Sequence, residues 1–146
     1  PARGPKWDRS IHKNFVEPVL EDQVEALKAV ASHFPKDVDI NRVGITGWSF
    51  GGYLSALAVL DAPEYFHAAV AGAPVTDWKL YDTAYTERYL GHPDQNEDVY
   101  KAHSLIEKAH KLSRPMWLLP TRSNFPLSYL PIRKSMNSCH LLVLLI

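Results

Sequence analysis

The stretch of this sequence whose residue types and spacing could do chemistry is Gly47-Trp48-Ser49-Phe50-Gly51. A G-x-S-x-G pattern places a serine at the apex of a sharp strand-to-helix turn, in a strained backbone conformation with its hydroxyl exposed. Side chains two residues to either side would clash there, so both places are glycine. The N–H of Phe50 then points at the oxygen that becomes negative during acyl transfer, and the helix that follows adds its positive end to the same spot. The chemistry would be nucleophilic, with Ser49 attacking a carbonyl and carrying the acyl group. The same five residues can also form an ordinary glycine-rich turn, so the flanking elements decide.

Those flanks fit. Arg42-Val43-Gly44-Ile45-Thr46 is β-prone and runs straight into the turn, Gly52 adds room, and Tyr53–Leu60 reads as an apolar, buried helix. Upstream, a helix is expected over Pro18–His33: Pro18 suits a first turn, Glu21 and Asp22 favour its dipole, and Pro35 ends it. Leu20, Val24, Leu27, Val30 or Ala31, and Phe34 give that helix one apolar face. Ala68–Gly72 is a second strand candidate. A helical pattern runs from after Asp77 to Leu90 with Gly91 as its stop, another over Val99–Lys111, and Met116–Leu119 could be a third strand. The first twelve residues read as irregular. Strands alternating with helices argue for an α/β protein with a parallel sheet and flanking helices.

The chain has 146 residues, 46% apolar and 22% charged, enough for one domain with a real core. Sixteen basic and sixteen acidic residues cancel, and nothing in that balance argues for nucleic acid or an anionic membrane surface as partner; neither is expected. One cysteine, Cys139, cannot form an internal disulfide, and no spacing of Cys or His suggests a metal site. The amino-terminal residues have no signal-peptide core, and the longest apolar run, Leu141–Ile146, is too short to span a bilayer. The expectation is a soluble protein with the cytoplasm slightly favoured as its compartment. The charge balance hides an asymmetry: after Glu107 there is no Asp or Glu, while Lys108, Lys111, Arg114, Arg122, Arg133 and Lys134 follow, with four of the eleven prolines.

Beyond the serine turn, longer words stand out. Gly47-Trp48-Ser49-Phe50-Gly51-Gly52-Tyr53, then Ala73-Pro74-Val75-Thr76-Asp77-Trp78, then Tyr81-Asp82 and Tyr85-Thr86-Glu87-Arg88-Tyr89-Leu90-Gly91 resemble the catalytic segments of the prolyl oligopeptidase family of serine peptidases, in its dipeptidyl peptidase IV branch. The resemblance runs from about Arg3 to Met116. It implies an α/β-hydrolase fold, here partial, with Ser49 as nucleophile, the Phe50 N–H as one oxyanion donor, and Val75, Trp78, Tyr81 and Tyr85 lining a pocket for a proline ring. Tyr81, Tyr85 and Tyr89 recur every four residues and are expected to share a helix face. Such a stripe is ordinarily core; the resemblance draws Trp78, Tyr81 and Tyr85 into the pocket and leaves Tyr89 as core. Arg88 stays open between a structural and a substrate-facing charge. A peptide with proline or a small residue is the implied partner, and no cofactor is implied.

The triad order in this fold is serine, acid, histidine. Where the resemblance places the acid, after the third strand, this chain reads Pro120-Thr121-Arg122-Ser123-Asn124-Phe125-Pro126, without a carboxylate. The only later histidine, His140 in Cys139-His140-Leu141, matches nothing in the family. Asp77 is expected to cap the helix after it, and His92, His103 and His110 to be surface or loop residues. Strands that precede Arg42 in the family are absent, which would leave the strand before Ser49 with an open apolar edge. The sequence therefore reads as a partial α/β-hydrolase catalytic domain over residues 1–116 and a divergent carboxy-terminal tail over 117–146, as a shifted frame, an altered splice or an assembly error would produce. Three functions are compatible: a proline-preferring, dipeptidyl peptidase-like serine peptidase fragment acting through an acyl-enzyme at Ser49 and inactive alone; an esterase or acylaminoacyl-peptidase-like hydrolase; and a non-catalytic remnant that binds.

Overall fold

The structure is a computed structural model and describes residues 3–119 and 142–145. Its centre is a strand–helix–strand unit. β1 (Val43–Trp48) leads into α3 (Phe50–Asp61), which returns the chain to β2 (Ala68–Gly72), parallel to β1 with Ile45 opposite Ala69 and Trp48 opposite Gly72. Two parallel strands need a crossover of this kind. α3 is apolar on all sides, and Gly51 through Leu60 are all buried, which is what a helix caught between a sheet and other helices requires. Its two buried hydroxyls both have partners: Ser55 donates to the Gly51 carbonyl at 2.7 Å and Tyr53 to the His103 carbonyl at 3.0 Å.

Before this unit come α1 (Pro5–Asp8) and α2 (Glu17–His33). The short α1 corrects the expectation of an irregular start. α2 buries Leu20, Val24 and Leu27, but Val30 and Phe34 are exposed, so the apolar face is used over fewer turns than its spacing predicts. After β2 the chain forms a 3-10 turn (Trp78–Leu80), α4 (Thr83–Leu90), α5 (Glu97–His103) and α6 (Leu105–Lys108) before β3 (Met116–Leu119), which pairs in parallel with β2. Two expected helices are thus broken. Asp77 caps the 3-10 turn by accepting the Lys79 N–H at 2.9 Å, and Asp82 caps α4 by accepting the Tyr85 N–H at 2.8 Å. Ser104 ends α5 and caps α6, accepting the Glu107 N–H at 3.5 Å; Ser104 and Glu107 have the spacing of a capping box. Asp61, at the end of α3, receives Lys108 at 2.6 Å and Lys111 at 2.7 Å. Burial opposes its charge, but the two ammonium groups outweigh that and hold its carboxyl below the usual range.

β4 (Leu142–Leu145) lies parallel to β1 on the side away from β2, with Val43 opposite Leu142 and Thr46 opposite Leu145. The sheet order is β3-β2-β1-β4. This overturns the expected open edge: the strand that feeds Ser49 is an inner strand, paired on both sides. α3 packs against β1 and β2 on the face where Val43, Ile45, Ala69 and Ala71 are buried. The alternate positions point the other way, and there Trp48 and Trp117 are 59% and 64% exposed.

Candidate active site

Ser49 sits between the end of β1 and the start of α3, exposed, with φ 58° and ψ −114°. A positive φ on a residue with a side chain is a backbone cost that its surroundings must hold in place. They do so tightly. The Ser49 N–H donates to the Gly72 carbonyl at 2.9 Å, and the Ser49 carbonyl accepts the Tyr53 N–H at 2.9 Å. A Cβ on Gly47 would lie 2.5 Å from the carbonyl carbon of Gly51, and a Cβ on Gly52 would run into the Gly72 carbonyl. Gly47 and Gly51 therefore face each other across the turn, while Gly52 lets α3 close onto β2. Phe50 opens α3, so its N–H belongs to the first turn, whose donors have no acceptor within the helix.

The aromatic residues gather beside this turn. The Phe50 ring lies 6.1 Å from that of Trp78 and 5.6 Å from that of Phe15, centre to centre. Trp78 is 1% exposed. Tyr85 stacks on it at 6.0 Å and 18°, Tyr81 meets it edge-on at 5.7 Å, and Tyr81 and Tyr85 touch each other at 5.5 Å. Tyr81 and Tyr85 are 42% and 37% exposed, so these two rings are accessible while Trp78 lies buried against them. Val75 is partly buried against the hydrophobic core. The tyrosines do not share one helix: Tyr81 has extended backbone after the 3-10 turn, and only Tyr85 and Tyr89 lie on α4. The turn between them, not a four-residue repeat, brings Tyr81 to Tyr85. Burial raises the Tyr85 phenol above its usual range, with Tyr89, Tyr81 and Asp82 adding to the effect. Tyr89 is half-buried against the core, and the exposed Arg88 lies 5.9 Å over its ring.

The histidines sort differently from expectation. His92 and His110 are exposed, the first accepting the Asp94 N–H and the second bonded to the Glu107 carbonyl. His103 is 2% exposed and bonded on both ring nitrogens, which corrects its reading as a surface or loop residue. The Pro120–Pro126 stretch, Cys139 and His140 lie outside the described residues. Among the described residues no group of three or more His, Cys, Asp or Glu could hold a metal, and no helix is long and apolar enough to cross a membrane.

Comparison with known proteins agrees with the geometry of the turn. The prolyl oligopeptidase family matches residues 1–123. The chain is 48% identical over 118 residues to human dipeptidyl peptidase 8, covering 80% of this chain and 13% of that protein. It is 35% identical over 119 residues to dipeptidyl peptidase family member 2 of Caenorhabditis elegans, covering 80% of this chain and 14% of that protein. The crystal structure of dipeptidyl peptidase 4 from Porphyromonas gingivalis superposes with a TM-score of 0.72 at 34% identity, over 80% of this chain and 16% of that one. The chain thus spans about a seventh of the length of the relatives it matches. With its parallel sheet, flanking helices and serine turn of the α/β-hydrolase fold, this chain belongs to the prolyl oligopeptidase family of serine peptidases, in the dipeptidyl peptidase IV-like branch.

Proposed function

We propose that these residues are the serine-bearing part of a dipeptidyl peptidase-like catalytic domain, with Ser49 as the nucleophile that forms the acyl-enzyme and the Phe50 N–H as one oxyanion donor. One observation carries the reading: Ser49 is exposed at a left-handed apex held by Gly47, Gly72 and the start of α3. Val75, Trp78, Tyr81 and Tyr85 form the pocket, whose tyrosine walls and tryptophan floor suit the flat, rigid ring of proline or a small side chain. Peptides are the substrate class, and no metal or organic cofactor enters the scheme.

The same proposal makes the chain alone nearly inactive. No acid follows Glu107, and a serine without its base loses most of its nucleophilic power, on the order of a millionfold in turnover when a triad is removed. Labelling with a fluorophosphonate probe, read by intact mass with Ser49→Ala as control, tests both parts. Slow or no labelling in the folded chain is expected. Rapid labelling that vanishes in the control would refute the claim of inactivity and show that a base reaches Ser49. Equal labelling of both proteins would refute Ser49 as the reactive serine.

A further inference from the structure

We infer that His103 is a positioning residue: its ring latches the amino-terminal arm so that Phe15 sits beneath the serine turn and the pocket floor. The inference rests on reading Phe50 and Trp78 as parts of the reactive site. Phe15 is 2% exposed, and its ring meets Phe50 at 5.6 Å, Trp78 at 4.9 Å, Tyr53 at 6.2 Å and His103 at 4.8 Å. It touches two of the site's aromatics, Phe50 and Trp78, yet it comes from an arm between α1 and α2, far from them in sequence. What holds it is a two-ended hydrogen bond. His103 Nδ1 lies 2.6 Å from the Val99 carbonyl, which can only accept, so Nδ1 carries the proton; Nε2 is then bare and accepts the Phe15 N–H at 3.2 Å. The His103 carbonyl in turn accepts the Tyr53 hydroxyl at 3.0 Å, joining the latch to α3.

Only the neutral ring can do this. A proton on Nε2 would set an N–H against the Phe15 N–H, and the arm would lose its buried acceptor. The charged groups around the ring do not favour protonation. Burial most strongly disfavours its charge and Lys108 of α6 repels it; the Val99 carbonyl works the other way without outweighing them, so the ring holds a proton less readily than usual. Lys13 of the arm, Glu17 of α2, Asp61 of α3 and Asp98 of α5 share the cleft with it, but Asp61 is already taken by Lys108 and Lys111. The latch is therefore closed at neutral pH and opens in acid, and what it releases is the packing under Phe50 and Trp78.

Nuclear magnetic resonance of the full chain from pH 7.5 to 5 tests this. In the native protein the His103 ring, the Phe15 amide and the Trp78 indole should shift together. Amide-exchange protection at Phe15, corrected for the intrinsic rate, should fall about tenfold per pH unit between the ordinary histidine value and the ring's own lower midpoint. His103→Gln keeps an acceptor near the Nε2 position but cannot titrate, so Phe15 should stay protected and its pH response vanish. His103→Leu should leave Phe15 unprotected at pH 7.5. A Phe15 amide that does not move while the His103 ring titrates, or a pH response that survives in His103→Gln, would overturn the inference. If His103→Leu fails to fold, the native and Gln proteins decide alone. Failure of the Ser49 reading would show in fluorophosphonate labelling and leave the latch standing.

Discussion

The two faces of the sheet behave as different materials. On one, Val43 and Ile45 of β1 and Ala69 and Ala71 of β2 are closed under α3, and nothing larger than alanine stands on β2 at these buried positions, so the helix lies close. On the other, Trp48 and Trp117 are mostly exposed, with Trp48 resting over Gly72 at the serine end. Parallel sheets are ordinarily covered on both faces. The difference teaches where the turn gets its rigidity: among the described residues, the contacts that hold Ser49 in its left-handed conformation come from β1, β2 and α3.

Substitutions can break that contrast, and their expected sizes fall in order. Leu57, with no exposure under the sheet, should cost about 2–5 kcal/mol when changed to Ala, read as a lowered midpoint in urea unfolding. Gly52→Ala drives a methyl into the Gly72 carbonyl and should cost about 1–3 kcal/mol through overpacking, together with loss of any covalent labelling at Ser49. Acid acts next. Burial lowers the affinity of His103 for a proton in the folded state, so the unfolded chain binds more protons below the ordinary histidine value. Stability is full above that value and falls as pH drops, by at most about 1.4 kcal/mol per pH unit from this group. His67, which accepts the Val43 N–H and is held low by burial and Arg114, acts in the same direction. Thermal midpoints at pH 7.5 and 5.5 would check the sign; a higher midpoint in acid would contradict it. Trp117→Ser, on the open face, should stay within about 0.5 kcal/mol while reducing binding of a hydrophobic dye. A large loss there would mean that the open face is less idle than its exposure implies.

Much of this arrangement was legible in the residues. β1, α3, β2 and β3 could be read because each is short, apolar and bounded by glycine, proline or a polar cap, and the serine turn because two glycines at fixed spacing mark it. α2 was legible from its first apolar turns. The breaks at Asp82 and Ser104 were not seen, although both are capping residues with the right neighbours; helical periodicity on either side outweighed one polar side chain. The grouping of the tyrosines is legible in the residues but their scaffold is not, since a spacing of four is satisfied equally by a helix and by a turn that folds back. His103 and Phe15 could not be paired from sequence. Their bond joins residues 88 positions apart, and a histidine gives no local sign of whether its ring is wet or buried.

The placement of β4 has a consequence for how the molecule is made. β1 finds its second neighbour about one hundred residues later in the chain, and while the chain is being synthesised that partner emerges long after β1, α3 and β2. Until then the strand that leads into Ser49 must wait with one row of backbone donors and acceptors unpaired, beside an apolar helix that is already complete. Closing so long a loop adds little to the equilibrium cost, about 0.6 kcal/mol for each doubling of length, but parallel pairing across it is slow and leaves the edge available to other chains. Vulnerability to misassembly should therefore be concentrated in the nascent protein, and a chain lacking residues 142–146 should keep that vulnerability permanently.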